Sequence, residues 1–307
     1  SACLVGSEMC IRDRNEDMAT NTPFGQRLGL VLEGGAMRGI YTAGVLDVFL
    51  EAGIMPDVVV GVSAGALHGC SYVAGQKGRS IRYYRKYRSD KHFMGLYSLL
   101  TTGDVVGTKF CYEDIPLRLD PFDEVAFEKA PVDFYATVTN VRTGKPEYIL
   151  CDELKVGSKM DVIRAGASMP LCSKMVEWNG NLYLDGGVSD SIPYAKMKDF
   201  GCRKSIVVLT QPAGYLKQPA AMAPFEAMYR KYPAFVEAMR GRDQMYNTEV
   251  CAVEQAAKQG DVFLIRPSKL LHVGRMEHDI EVLNAQYELG RQDARNQMDA
   301  MREWMER

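Results

Sequence analysis

Several features that mark particular protein classes are missing from this chain of 307 residues. Its net charge is only −2, so the sequence lacks the excess of basic residues that is typical of proteins that bind nucleic acids. Its apolar runs are all shorter than the roughly 18 residues needed to span a bilayer, and no stretch resembles a signal peptide. We therefore expect a cytoplasmic protein that binds no nucleic acid, with peripheral contact to the inner membrane surface left open.

Metal and redox motifs are also missing. The eight cysteines include no C-x-x-C pair, so neither a zinc site nor a redox pair is predicted. Most of the cysteines lie among apolar neighbours, and we expect them to be small buried side chains in a reducing compartment. These are Cys70, Cys111, Cys151, Cys172, Cys202 and Cys251.

What is present is the composition of a globular protein with a sizeable core, 47% apolar and 25% charged. Residues 1–14 have the sequence that results from translating a sequencing adapter, and we expect them not to belong to the natural protein. Residues 15–26 form a polar lead. Residues 27–307 contain no internal repeat and no convincing linker, so we predict one domain that includes the C-terminal helices.

Strand and helix patterns alternate along that domain. Apolar β-branched runs predict strands at Arg27–Leu32 and Asp57–Val62, and helical patterns follow them over Arg38–Glu51 and Ala64–Ala74. Such alternation predicts an α/β protein, a three-layer α/β/α domain with a mainly parallel central sheet. Further strands are predicted at Phe134–Val141, Glu147–Leu150, Lys174–Trp178, Asn181–Leu184, Ser205–Thr210 and Val262–Arg266, and further helices at Ser80–Ser89, Lys159–Ala167, Phe225–Arg240 and Asp243–Gln259.

Some segments allow two interpretations. Apolar residues at helical spacing between Ile280 and Trp304 predict one long closing helix that packs on the same domain or forms a dimer seam. The basic run Arg79–Arg88 is interpreted as a solvated helix face, although its tyrosines leave a lipid-surface role open. The segment Tyr215–Tyr246 is either methionine-rich core packing or an interfacial flap. Thr101–Asp104 is expected in a surface loop or lid.

Two glycine-framed segments point to acyl-transfer chemistry. In Gly61-Val-Ser-Ala-Gly65, Ser63 stands at a strand-to-helix turn, where the flanking glycines allow close approach of backbone and expose a nucleophilic hydroxyl. In Glu33-Gly-Gly-Ala-Met-Arg-Gly39, a glycine turn ahead of a helix offers backbone N–H groups to a developing oxyanion.

A serine nucleophile needs a base, and the chain offers two kinds. The order Ser63, Asp185, His272 matches an α/β-hydrolase triad, but that fold needs more strands before the nucleophile than this sequence has. His68 is rotated away on its helix, and His92 and His278 lack a supporting pattern. Asp185 ends a short apolar strand, and a carboxylate within about 2.6–3.2 Å of the hydroxyl can accept its proton.

Together these motifs resemble the patatin-like phospholipase family. The resemblance rests on Gly-Gly-x-x-Arg-Gly, Gly-x-Ser-x-Gly and Asp185-Gly-Gly187, with support from Ala165–Pro170 and Asp190–Pro193. It implies a Ser–Asp dyad that acts on lipid acyl esters without a metal or cofactor, with Ser63 as nucleophile and Asp185 as base. The implied oxyanion loop comprises Gly34, Gly35, Ala36, Arg38 and Gly39, the nucleophile elbow Gly61 and Gly65, and the aspartate motif Gly186 and Gly187.

One residue departs from the family pattern, because Ala36 stands where the family has the middle glycine of Gly-x-Gly-x-x-Gly. If that position requires a positive φ, alanine costs about 1 kcal/mol and tilts the N–H donor. The leading prediction is a serine lipid acyl hydrolase that binds lipid or acyl-ester substrates. An esterase for small soluble esters and a catalytically weak lipid- or protein-binding module are the alternatives.

Overall fold

A computed structural model describes residues 23–307 of the chain, so the adapter-like segment 1–14 and the first part of the polar lead lie outside the described residues. The strands are β1 (Arg27–Leu32), β2 (Val58–Val62), β3 (Asp133–Asn140), β4 (Pro146–Leu150), β5 (Val176–Trp178), β6 (Asn181–Asp185), β7 (Cys202–Val208) and β8 (Val262–Ile265). The α-helices are α1 (Ile40–Glu51), α2 (Ala64–Val73), α3 (Arg79–Tyr87), α4 (Leu96–Thr102), α5 (Glu124–Lys129), α6 (Lys159–Gly166), α7 (Ala223–Met228), α8 (Pro233–Arg240), α9 (Arg242–Gln259), α10 (Ile280–Asn296) and α11 (Met298–Glu306).

The strands form one sheet with a parallel centre, as predicted. Strands β3, β2, β1, β7 and β8 lie side by side in that order and pair in parallel. Strands β4 and β6 pair antiparallel with β3, and β5 pairs antiparallel with β6. The hairpin between β5 and β6 turns at Asn179 and Gly180, whose φ angles of 46° and 72° match the predicted Asn-Gly turn.

Both faces of the sheet are covered, which gives the three predicted layers. Leu30 and Leu32 of β1 belong to the core cluster that contains residues of α1, α2, α10 and α11. Val31, between them, belongs to the cluster that includes α9. Since successive side chains of a strand point to opposite faces, this alternation shows a sheet buried on both sides.

The C-terminal stripe packs within the domain, where α10 lies directly against α1. A Cβ atom on Gly44 would come within 2.1 Å of the Tyr287 carbonyl oxygen, and one on Gly290 within 2.1 Å of the Tyr41 carbonyl oxygen. Glycine on both helices therefore permits backbone contact between them. Tyr287 also donates from its hydroxyl to the Asp47 carboxylate at 2.6 Å, which fixes the pairing.

Two predicted helices are each broken in two. The region Phe225–Arg240 divides into α7 and α8 because Pro233 restricts the preceding Tyr232, whose φ and ψ of −129° and 68° are not helical. The prediction of a single closing helix was also wrong, because the helix is interrupted at Gln297, between α10 and α11. Thr101 and Thr102 end α4 instead of belonging to a loop. Within residues 23–307, the helices are all too short or too polar to cross a membrane.

Two surface predictions are corrected. The run Arg79–Arg88 is only partly a solvated face, because the side chains of Arg79 and Arg88 are buried and bonded inward. Of the cysteines, Cys251 is exposed and Cys111 and Cys172 are half-buried, while Cys70, Cys151 and Cys202 are buried as predicted. The segment Tyr215–Tyr246 contributes core side chains and exposed ones alike. Tyr229, Phe235, Met239 and Tyr246 are buried, whereas Leu216 and Met228 are exposed.

Candidate active site

Strand β3 brings together two residues that are 122 positions apart in sequence, Ser63 and Asp185. Val62 at the end of β2 pairs with Thr137, and Asp185 at the end of β6 pairs with the next residue, Val138. The chain that leaves β2 therefore meets the end of β6. The hydroxyl Oγ of Ser63 donates a hydrogen bond of 2.7 Å to Oδ2 of Asp185.

Ser63 occupies a strained turn between β2 and α2. Its φ and ψ are 52° and −121°, a conformation with positive φ that residues other than glycine rarely adopt. A Cβ on Gly61 would lie 2.4 Å from Cα of Ala66, and one on Gly65 would lie 2.3 Å from the carbonyl oxygen of Leu32. Both glycines of the predicted elbow are thus required by close backbone packing around the serine.

Asp185 is held by bonds to both carboxylate oxygens. Oδ1 accepts from the N–H of Gly187 at 2.8 Å, while Oδ2 accepts from Ser63. Burial raises the pKa of Asp185, and the Ser63 hydroxyl, the Arg242 charge and the Gly187 N–H counteract part of that rise. A carboxylate with a raised pKa is a stronger base than one in water, so the pair is arranged for proton transfer from the serine. Gly186 is also constrained, since a Cβ there would meet the Thr137 oxygen at 2.2 Å.

The predicted oxyanion loop lies beside Ser63. Within the described part of the chain, the N–H groups of Gly34, Gly35 and Ala36 donate to no other group, and these residues line a cavity together with Ser63. Ala36 has a φ of 49°, so this position does require the conformation that favours glycine. Gly39 packs behind the loop, where a Cβ would lie 2.6 Å from Cβ of Ala64.

Glu33 anchors this loop from beneath, a role that the sequence motif did not reveal. Its buried carboxylate accepts from the Thr210 N–H at 2.5 Å and from the Tyr246 hydroxyl at 2.9 Å. Burial raises the pKa of Glu33, and these two donors partly offset the rise. The anchor therefore joins the loop after β1 to the end of β7 and to α9.

None of the histidines stands beside the serine. His68 is buried on α2, where burial lowers its pKa to about 4, and its Nδ1 lies 3.0 Å from the Ser80 hydroxyl. His272 is exposed and, of residues 23–307, no histidine lines a cavity at Ser63. The same residues contain no group of three His, Cys, Asp or Glu side chains arranged to hold a metal.

Two cavities meet at Ser63, and Ala36 and Met169 also border both. The first contains about 970 Å³ of space, counted to its open mouth, and its wall is mostly apolar. Its lining includes Met37, Leu67, Tyr84, Phe93, Ile163 and Met169. Such a pocket is typical of a binding site for an apolar ligand.

The second cavity, here called the polar cavity, is the more polar of the two and carries four basic side chains. Only Arg38 among them was singled out from the sequence. Sequence analysis did not predict Lys217, Arg242 and Arg275 as site residues, because nothing in their sequence neighbourhood connects them with the serine motif. Lys217 lies within the segment Tyr215–Tyr246, whose mixture of basic and aromatic residues was the one available signal.

Comparison with known proteins places this geometry in a family. Residues 30–197, more than half of the chain, match the model of the patatin-like phospholipases, and residues 232–306 match a domain of unknown function, DUF6363. An uncharacterized protein of Escherichia coli, YjjU, is 28% identical over 273 residues, which are 86% of this chain and 75% of that protein.

Fungal lysophospholipases are also similar. NTE1 of Saccharomyces cerevisiae is 30% identical over 190 residues, 60% of this chain, and nte1 of Aspergillus terreus is 30% identical over 182 residues, 58% of this chain. The matched region is 11% of the length of each of these relatives. Among solved structures, VipD from Legionella pneumophila is similar with a TM-score of 0.45 and 13% identity, over 91% of this chain and 67% of that chain. The family model covers the strand-and-turn unit that holds Ser63 and Asp185, and this chain belongs to the patatin-like phospholipase family of lipid ester hydrolases.

Proposed function

We propose that the chain hydrolyses the carboxylic esters of lipids, with Ser63 as the nucleophile and Asp185 as the general base. The observation that supports this most directly is the 2.7 Å hydrogen bond from the Ser63 hydroxyl to the Asp185 carboxylate. A nucleophile in hydrogen-bond contact with its base needs no intervening histidine.

The reaction proceeds in two steps. Asp185 accepts the proton of Ser63 as Oγ attacks the ester carbonyl, and the N–H groups of Gly34, Gly35 and Ala36 stabilise the tetrahedral oxyanion. Each such donor contributes about 2.7–4 kcal/mol in comparable sites. Asp185 then returns the proton to the leaving alcohol. In the second step Asp185 accepts a proton from water as the water oxygen attacks the acyl-enzyme carbonyl. The bond to Ser63 Oγ then breaks, Asp185 returns the proton to Oγ, and the fatty acid leaves.

The apolar cavity favours a lipid over a small soluble ester. The space that opens at Ser63 is lined mostly by apolar side chains, among them Leu67, Phe93 and Ile163, which suits an acyl chain better than a small polar ester. Arg79 lies on its wall, but its charge is paired, because its guanidinium lies 3.5 Å from the Asp120 carboxylate and also donates to Ser71 and to the Asp120 carbonyl oxygen. We therefore assign the acyl chain to this cavity.

Contact with a lipid surface is part of the same proposal. Leu96 and Leu100 of α4 are 70% and 77% exposed, and Leu117 is 52% exposed. The neighbouring residues Val106 and Ile115 of the same stretch line the apolar cavity. One segment thus forms both the inner wall of the acyl pocket and an outer apolar surface, an arrangement that suits entry of lipid from a membrane.

The test is hydrolysis of p-nitrophenyl octanoate by the purified protein in the presence of a chelator. We expect Ser63→Ala to abolish activity and Asp185→Asn to lower kcat/KM by about 10²–10⁴, the usual contribution of a general base. Ser89→Ala and Asp299→Asn, which alter exposed residues away from the site, serve as matched controls.

Three results would argue against the proposal. Full activity in Asp185→Asn would remove the dyad and direct attention to His272. Loss of activity on chelation would indicate a metal-dependent reaction. A folded wild type without activity on any acyl ester would favour the binding-module alternative.

A further inference from the structure

The polar cavity at Ser63 has an unusual balance of charge. Four basic side chains line it, and the two carboxylates that face them are Glu33 and Asp185, which leaves an excess of two positive charges. Both carboxylates already accept two hydrogen bonds. Glu33 accepts from Thr210 and Tyr246, and Asp185 accepts from Ser63 and Gly187. The four cations are Arg38, Lys217, Arg242 and Arg275.

Within residues 23–307 these four cations form no direct ion pair, unlike Arg82 and Arg240, which contact carboxylates at 2.7 and 2.8 Å. The charge of Asp185 acts on Arg242 and that of Glu33 on Lys217, but neither carboxylate contacts its cation directly. The Nε atom of Arg38 is buried without a hydrogen-bond acceptor. Because an unpaired buried donor is costly, its presence beside three other cations indicates that the cavity is completed by an anion.

The cations come from separate parts of the chain. Arg38 belongs to the oxyanion loop, and Lys217 lies in the connection after β7. Arg242 begins α9, where its Nε donates to the carbonyl oxygen of Gly187 at 2.5 Å. Arg275 is exposed at the open side of the cavity. Arg242 and Arg275 both lie within residues 232–306, the region that matches a domain of unknown function.

We propose that this cavity binds the phosphate head group of the lipid and selects phospholipids whose head group is net negative, with residues 232–306 supplying two of the recognising cations. The inference rests on the proposed function, because it assumes that an acyl ester is cleaved at Ser63. The ester carbonyl lies between the acyl chain and the phosphate of such a lipid. It would therefore reach the serine when the acyl chain occupies the apolar cavity and the phosphate binds among Arg38, Lys217, Arg242 and Arg275.

A zwitterionic head group such as choline fits this cavity poorly. A quaternary ammonium needs a carboxylate or an open aromatic face. Both carboxylates already accept two hydrogen bonds, and Nζ of Lys217 covers the ring of Tyr246 at 4.1 Å from its centroid. Phe225 is the other aromatic side chain of this lining, so an ammonium would have one ring and no free carboxylate. The excess positive charge would therefore favour phosphate and repel the ammonium.

The test compares lysophosphatidylglycerol with lysophosphatidylcholine of the same acyl chain, beside p-nitrophenyl octanoate, which has no head group. We expect wild-type kcat/KM to be at least about 10-fold higher for the anionic lipid, since a charge-assisted hydrogen bond commonly contributes that much. Lys217→Gln should reduce the ratio of the two lipids by about 10-fold, and Arg275→Gln by about 3-fold because solvent screens an exposed charge. Lys258→Gln is the matched control, an exposed lysine on α9 outside the cavity.

Competition separates a lipid head group from free phosphate. Glycerophosphoglycerol should inhibit more strongly than inorganic phosphate at the same concentration. Equal inhibition by the two would indicate a site for free phosphate and overturn the proposal, as would equal rates on the two lipids or an unchanged ratio in Lys217→Gln. If wild type fails on p-nitrophenyl octanoate, the proposed function itself has failed. If it hydrolyses that ester but does not discriminate between the lipids, only the head-group inference is wrong.

Discussion

The two cavities that meet at Ser63 are built from different parts of the chain. Every residue that lines the apolar cavity lies between Ala36 and Met169, inside the region that matches the patatin-like phospholipases. The polar cavity shares the loop after β1 but takes much of its wall from beyond residue 197, including Lys217 and Arg242. One segment of sequence therefore carries the proposed chemistry and acyl site, whereas a later segment shapes the space for the rest of the substrate.

This division suggests how substrate preference can vary while the reaction is kept. On the proposed assignment, a change at Arg275 would alter the charge facing the head group while Ser63 and Asp185 keep their positions. Residues 232–306 also contact the catalytic region directly, since Arg242 donates to Gly187 in the aspartate motif and Tyr246 donates to Glu33 below the oxyanion loop. The following predictions separate the two cavities experimentally.

The largest effect is expected from filling the apolar cavity. Ala167→Phe places a ring in the lumen that Ala167 lines, so we expect kcat/KM for p-nitrophenyl palmitate to fall by about 10–100-fold through steric exclusion. Hydrolysis of p-nitrophenyl acetate should change by less than about 3-fold because a short acyl group needs little of the pocket. The exposed Ala300→Phe is the control. An equal loss on both esters would mean that this cavity does not hold the acyl chain.

Loosening the C-terminal region should affect the polar cavity more than the apolar one. Gly290→Ala introduces a Cβ within 2.1 Å of the Tyr41 carbonyl oxygen, so α10 must move away from α1. We expect a loss of about 1–3 kcal/mol in the free energy of unfolding, measured by denaturant titration. Arg275, just before α10, should shift with it and reduce the preference for the anionic lipid.

Gly241→Ala provides the comparison for that variant. The nearest atom to a Cβ on Gly241 is 3.8 Å away, and its φ is −84°, so alanine fits without displacement. Its stability should stay within about 0.5–1 kcal/mol of wild type. Similar losses in the two variants would show that the contact between α1 and α10 is not the cause.

The preference for the anionic head group should decrease as the pH becomes alkaline. Burial lowers the pKa of Lys217 to about 8, well below its usual range, and neighbouring positive charges contribute. As pH rises through about 8 the ammonium loses its charge, so the ratio of kcat/KM for the anionic and the zwitterionic lipid should fall by a few-fold between pH 7 and 9. The groups facing Lys217 are Glu33, Arg38, Arg242, Arg275 and the Tyr246 ring.

Lys217→Gln isolates that titration. The variant should show a low ratio with no fall between pH 7 and 9, because guanidinium groups keep their charge in this range. A fall that persists in the variant would assign the titration to another group, of which Glu33 is the nearest candidate, since burial raises its pKa. The rate on p-nitrophenyl octanoate corrects each ratio for changes in the chemistry.

The smallest effect is expected at the oxyanion loop. Ala36→Gly removes a side chain from a residue with a φ of 49°, which should relieve about 1 kcal/mol of strain, partly offset by the greater freedom of glycine in the unfolded chain. Thermal unfolding should shift upward by a few degrees at most, and activity should rise on esters with and without a head group. A destabilised variant would show that Ala36 is not strained. The exposed Ala220→Gly, which lies outside the helices and strands, controls for the cost of the greater freedom of glycine in the unfolded chain.

Much of the site followed from local sequence because its requirements are local. Gly61 and Gly65 indicated a tight turn, and the structure shows that a Cβ at either position would meet backbone at 2.3–2.6 Å. Asp185 at the end of an apolar strand was the predicted base, and its carboxylate contacts Ser63. At Ala36 the sequence left the sign of φ open, and the structure has a φ of 49° there.

Sequence reasoning missed the features of the site that depend on contacts between distant segments. The Glu33 anchor joins Thr210 and Tyr246, and the cationic wall collects Arg38, Lys217 and Arg275, which no common spacing relates. Arg79 and Arg88 were misjudged for the same reason. Their charges suggested solvent, but partners on other segments, Asp120 and Glu277, accept their hydrogen bonds and allow burial.

The sequence by itself determined the alternation of strands and helices, the glycine turns and which residues are proposed as nucleophile and base, because each depends on residues close together along the chain. Only the tertiary structure decided that β3 brings the ends of β2 and β6 together, that two cavities share Ser63, and that the later part of the chain contributes cations to one of them. The charge and the shape of a cavity depend on residues that are neighbours in space, and a local sequence pattern does not indicate which residues those are.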